Sequence, residues 1–85
     1  MKNYITIEDY QNLRQKKVDD IQLTKWFKVI EYKGMLTLVR QFKRVYMFNP
    51  ISLDSTEKIV NYFNECISYV MKGETIPNGI ISKYK

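Results

Sequence analysis

Residues 24–48 constrain the fold more than any other part of this chain. They are dense in Trp, Phe, Val, Ile, Tyr and Thr, residue types that fit a pleated, half-buried surface. Lys33-Gly34 divides the stretch, and glycine at 34 supplies the positive φ that a tight hairpin turn requires. Read as strands, 25–32 and 35–48 flank that turn. Facing positions then place Val29 opposite Leu38 and Phe27 opposite Arg40. Helical spacing is present too, in Leu23, Trp26, Phe27 and Ile30, and again in Met35, Leu38, Val39, Phe42, Val45 and Tyr46. That alternative makes the protein an all-α bundle. Strands are preferred because β-branched and aromatic residues dominate and no N-cap separates Gly34 from Met35.

The flanks read as helices. Thr6 is placed to cap a helix from about 6 to 17, with Asp9 at the capping-box position. Ile7, Tyr10, Leu13, Val18 and Ile21 share one side of it. Asn49-Pro50 stops the central segment, and Asp54 or Ser55 caps a second helix with Glu57 in its first turn. Ile59, Tyr62, Phe63, Cys66, Ile67 and Val70 form the apolar face, and Gly73 is the expected C′ residue. Pro77-Asn78-Gly79 is a turn, and Ile80-Ile81 reads as a short strand or a loosely docked end. The expected fold is α+β: an N-terminal helix, a central antiparallel β-hairpin or short sheet, and a C-terminal helix. One domain spans 1–85, with 74–85 a loosely packed tail.

Charge is distributed unevenly. Acids and bases balance within 1–23 and within 49–85. In 24–48, by contrast, Lys25, Lys28, Lys33, Arg40, Lys43 and Arg44 face Glu31 alone, so this third holds the entire net charge of +5. Composition weakens any argument from lysine content itself. There is no alanine, and Phe, Tyr, Met, Ile, Asn and Lys, whose codons are rich in A and T, supply half the chain. Such a composition is associated with low-GC bacteria and their phages or plasmids. Codon bias does not sort lysines by region, so the placement of the charge remains informative.

Several chemistries are excluded or disfavoured. The chain has no histidine and one cysteine, which removes zinc sites, Ser/His and Cys/His catalysis and an internal disulfide. Cys66 falls on an apolar stripe and reads as core, compatible with a reducing cytosol. Met35, Met47 and Met71 read as fillers of gaps in the core. The glycines lack phosphate-loop spacing. Asp19-Asp20 with Glu31 and Lys33 superficially resembles the carboxylate–lysine set of metal-dependent nucleases. Lys33 lies in a turn, however, and carboxyl pairs at such spacing are common by chance. No signal peptide opens the chain, no apolar run is long enough for a membrane span, and the basic segment does not sort into a membrane-surface helix.

The expected protein is therefore cytoplasmic and non-enzymatic, with no cofactor, metal or membrane partner. It binds DNA or RNA through Lys25, Trp26, Lys28, Arg40, Phe42, Lys43, Arg44 and Tyr46, as a small regulatory or accessory protein. Cations neutralise phosphates, aromatic rings stack on bases, and a two-stranded ribbon fits a major groove. The competing expectation is a phage- or plasmid-type inhibitor that docks on an acidic site of a host protein. Both ribbon faces are apolar near the turn, so helices are expected on both sides, or a homodimer in which a second copy covers one.

Overall fold

Thr6 starts the first helix as expected in the computed structural model, which describes residues 2–85. Its Oγ1 accepts the Asp9 N–H at 3.1 Å, and Asp9 Oδ2 accepts the Thr6 N–H at 2.9 Å. This reciprocal capping box opens α1, Ile7–Arg14. The helix ends earlier than the apolar spacing predicts because Lys16 turns left-handed, at φ 61°. The Lys17 N–H then bonds to Asn12 O at 2.9 Å and the Lys16 N–H to Leu13 O at 3.2 Å. That is a Schellman closure with lysine where glycine is usual. Val18 and Ile21 thereby leave the helical stripe, and Ile21 enters a strand.

Four antiparallel strands follow in sequence order: β1 (Ile21–Gln22), β2 (Phe27–Tyr32), β3 (Met35–Arg40) and β4 (Lys43–Phe48). The expected register holds between β2 and β3, with Val29 opposite Leu38 and Phe27 opposite Arg40. The stretch 35–48 is not one strand. It reverses at Gln41-Phe42, where both residues take positive φ, 47° and 70°. This two-residue turn matches the right-handed twist of the flanking strands, but it is normally built from Asn and Gly. A second irregularity follows. Leu38 pairs with Tyr46 while Val39 pairs with Arg44, so Val45 is the extra residue of a β-bulge.

One sheet face carries Ile21, Val29, Leu36, Leu38 and Phe48 into the core, where they meet Tyr10 and Leu13 of α1. Against the same face lies α2, Thr56–Met71, through Ile59, Phe63, Cys66 and Ile67. Both helices thus cover one face, which corrects the expectation of a helix on each side. The opposite face, with Lys28, Ile30, Tyr32, Thr37, Val39, Arg44 and Met47, contributes nothing to that core and carries no helix.

Ser55 rather than Asp54 caps α2, its Oγ accepting the Lys58 N–H at 3.2 Å, while Asp54 pairs with Lys58 at 3.0 Å. Gly73, at φ 76°, closes the helix as expected, with the Glu74 N–H bonded to Tyr69 O at 2.9 Å. Asn64 ties the N-terminal segment to α2: its side chain accepts the Ile5 N–H at 2.9 Å and donates to Ile5 O at 2.7 Å. The C-terminal segment forms a 3-10 turn, Ile80–Tyr84, in place of a short strand. It is held more closely than expected. Ile80 is buried, the Tyr84 ring lies 5.6 Å from that of Tyr62, and the Tyr84 hydroxyl donates to Glu65 Oε1 at 2.8 Å.

Candidate nucleic-acid interface

The loop between β1 and β2 is short and heavily bonded. Phe27 O accepts the N–H groups of Leu23 at 3.0 Å and Thr24 at 3.2 Å, and Gln22 Nε2 at 3.1 Å. Gln22 Nε2 also donates to Thr24 O, and the Trp26 N–H bonds to Thr24 Oγ1 at 3.2 Å. These bonds fix the backbone that presents Lys25 and Trp26. The Lys25 ammonium lies 5.1 Å from the centre of the Trp26 ring, a cation–π contact.

The β3–β4 turn reaches the same end of the sheet. Between loop and turn is an open cleft of about 170 Å³, lined by Gln22, Lys25, Trp26, Phe27, Lys28, Val39, Gln41 and Phe42. Its two exposed aromatic side chains are Trp26, 50% exposed, and Phe42, 97% exposed. A fully exposed phenylalanine in the left-handed region combines two costs: the Cβ strain of that backbone region and apolar surface left in water. The fold gains nothing visible from either.

Cross-strand pairing extends this site over the sheet. Lys28, Val39 and Arg44 form one row on the helix-free face, with Gln22 beside Lys28. The Arg44 guanidinium reaches Tyr32, 3.6 Å from its ring centre. The adjacent row, Phe27, Arg40 and Lys43, belongs to the other face at the same end of the sheet. Arg40 lies 5.5 Å from the centre of the Phe27 ring. Seven of the eight residues expected from sequence therefore gather around one end: Lys25, Trp26, Lys28, Arg40, Phe42, Lys43 and Arg44.

Tyr46 does not join them. The bulge keeps it on the core side, where its ring lies 5.6 Å from Phe63 and 6.4 Å from Phe48. Burial, beside Tyr62 and Cys66, pushes its hydroxyl well above the usual tyrosine range. Tyr32, Gln22 and Gln41 are site residues that sequence reasoning missed. Gln22 is placed by the short strand β1, and Gln41 and the Arg44 contact on Tyr32 by the second hairpin, which Gln41-Phe42 does not announce.

The carboxylates near this sheet are engaged elsewhere. Glu31 is hydrogen-bonded by Lys16 and by the Gly34 N–H at 2.8 Å, with Arg14 at 3.9 Å. The Lys16 and Gly34 bonds hold its carboxyl below the ordinary value of 4.5. Asp20 lies 3.5 Å from Lys28. Among the described residues, Lys28 is the one site cation in an ion pair, and Lys25, Arg40, Lys43 and Arg44 have no carboxylate within salt-bridge distance. The nuclease-like set is separated, since Asp20 and Glu31 sit in different ion pairs. No group of three or more acidic or cysteine side chains among the described residues is placed to hold a metal ion. No helix among them is long and apolar enough to cross a membrane.

Comparison of the chain with protein-family models, with curated proteins and with solved structures gives no match.

Proposed function

We propose that this protein binds nucleic acid through the helix-free sheet face and the end of the sheet carrying Trp26 and Phe42. One observation carries the reading: Lys25, Arg40 and Lys43 at one end of the sheet, and Arg44 on its helix-free face, have no acidic partner and lie on the part of the molecule that carries two exposed aromatic rings. Uncompensated cations attract a polyanion and release its counterions on contact. The exposed rings add a surface on which bases stack. A site for an acidic protein would use the same cations, with the exposed rings as buried anchors, and differs from this reading in its shallower salt dependence.

Fluorescence anisotropy of a labelled 20-nucleotide single strand, with a duplex of equal length for comparison, tests the reading. Contact with about three to five phosphates gives a salt slope of roughly −2 to −3.5 on a logarithmic plot for a single strand. Affinity then falls by about 15- to 130-fold between 50 and 200 mM salt. No binding of either oligonucleotide at 50 mM salt, together with sedimentation as a dimer, would show that the open face serves a second copy instead.

A further inference from the structure

We infer that the cleft between Trp26 and Phe42 is a subsite for one unpaired nucleobase, so that the partner is single-stranded. This rests on the proposed nucleic-acid reading and sharpens it. A duplex presents stacked, paired bases, and a protein that contacts only its phosphates needs cations but no exposed rings. A single strand offers free π-faces, which aromatic side chains take up with little regard to sequence.

The cleft has the features such a subsite needs. At about 170 Å³ it is smaller than the roughly 300 Å³ at which pockets for drug-sized ligands begin, too small for a dinucleotide or an extended cofactor. Trp26 and Phe42 supply the flat apolar surfaces, and Val39 is also part of the lining. Lys25 and Lys28 stand beside the rings to meet a phosphate, as Arg44 does farther along the face. Gln41, exposed at the turn, offers carboxamide donors and an acceptor to a base edge. The backbone around Trp26 is fixed by the Thr24 and Phe27 hydrogen bonds before any ligand arrives, so little ordering remains for binding to do. The left-handed conformation at Phe42 is the kind of local strain that persists where a side chain must be presented rather than packed.

Trp26 is the only tryptophan, so its fluorescence reports on this cleft directly. The experiment titrates the full chain with a 15-nucleotide oligothymidylate, an abasic strand of the same length and charge, and a 15-base-pair duplex. Tryptophan emission and the anisotropy of a labelled strand are read together at 50 mM salt. The inference predicts that oligothymidylate alone quenches Trp26 and that the abasic strand binds about 5- to 150-fold more weakly, the range expected for a lost base–aromatic stack. Phe42→Ala then brings oligothymidylate down toward the abasic strand, while Phe42→Tyr retains the affinity. Equal binding of oligothymidylate and abasic strand without quenching would overturn the base subsite yet leave nucleic-acid binding standing. So would a duplex that binds as tightly as the single strand. Failure of all three to bind would overturn the nucleic-acid reading itself.

Discussion

The guanidinium carbon of Arg44 lies 3.6 Å from the centre of the Tyr32 ring, although the two residues belong to strands separated by β3. The contact reaches across a face where Thr37 and Val39 are buried although no helix covers them. Side chains from the neighbouring strands must supply that cover. Arg44 thus has two roles: a lid over the middle strand and a cation on the open face. Arg44→Ala is expected to cost about 0.5–2 kcal/mol in denaturant unfolding, the range for a cation–π pair. It should also lower the salt slope of single-strand binding by about 0.7, the share of one phosphate. Arg44→Lys should keep the slope and lose part of the stability, because an ammonium cannot lie flat on the ring.

Phe42 gives the opposite sign. Glycine adopts the left-handed conformation without Cβ strain, and the phenylalanine ring packs against little. Relief of strain, reduced by the added chain entropy of glycine, leaves Phe42→Gly more stable by about 0.5–1 kcal/mol. In a domain of this size that raises Tm by roughly 2–8 °C. The same variant should bind single strands more weakly. A thermal melt beside a binding titration checks both halves, and a loss of stability would contradict the strain argument.

What the sequence made legible, and what it hid, follows from turn chemistry. Thr6 and Gly73 carry local signals with one ordinary reading each and sit where it places them, Gly34 takes the hairpin turn rather than a helix end, and Ser55 takes the cap left open between it and Asp54. Lys16 and Gln41-Phe42 adopt positive φ without glycine or asparagine. The early end of α1, the second hairpin and the bulge at Val45 were therefore not visible. Missing that hairpin had a direct consequence for the site. A single strand over 35–48 keeps Tyr46 among the binding residues and leaves Tyr32 out, whereas the reversal and bulge send Tyr46 to the core and set Arg44 over Tyr32. The clustering of cations was legible because it depends on which segment they occupy more than on how that segment turns.

Asn64 provides a test of the packing. Its carboxamide satisfies both backbone polar groups of Ile5, a residue almost wholly buried. Asn64→Ala leaves those groups without these partners and should cost about 1–3 kcal/mol in chemical denaturation. Asn64→Asp can still accept the N–H but cannot donate to the carbonyl. It should be destabilised as well, most strongly at neutral pH, where the carboxylate faces the Ile5 oxygen.

Glu31 predicts a pH dependence. Hydrogen bonds from Lys16 and the Gly34 N–H hold its folded pKa below the ordinary 4.5. A carboxylate depressed on folding contributes stability that is fully present above its unfolded pKa and is lost as pH falls through the folded value. Glu31→Gln should therefore be less stable than the parent chain at pH 7, with the gap narrowing below pH 4.5. Because Lys16 is exposed, added salt should shrink the gap at neutral pH. Unfolding curves at several pH values, at low and high salt, report both trends.

The central claim is that unpaired cations at one end of the sheet and on its helix-free face hold a polyanion. Its most direct test is the salt slope of single-strand binding for the parent chain beside Arg40→Ala/Arg44→Ala, with circular dichroism confirming that the pair still folds. The account predicts a slope shallower by about 1.4 for the double variant, two phosphates' worth, and a matching loss of affinity at low salt. A double variant that binds as tightly as the parent, with the same slope, would contradict it.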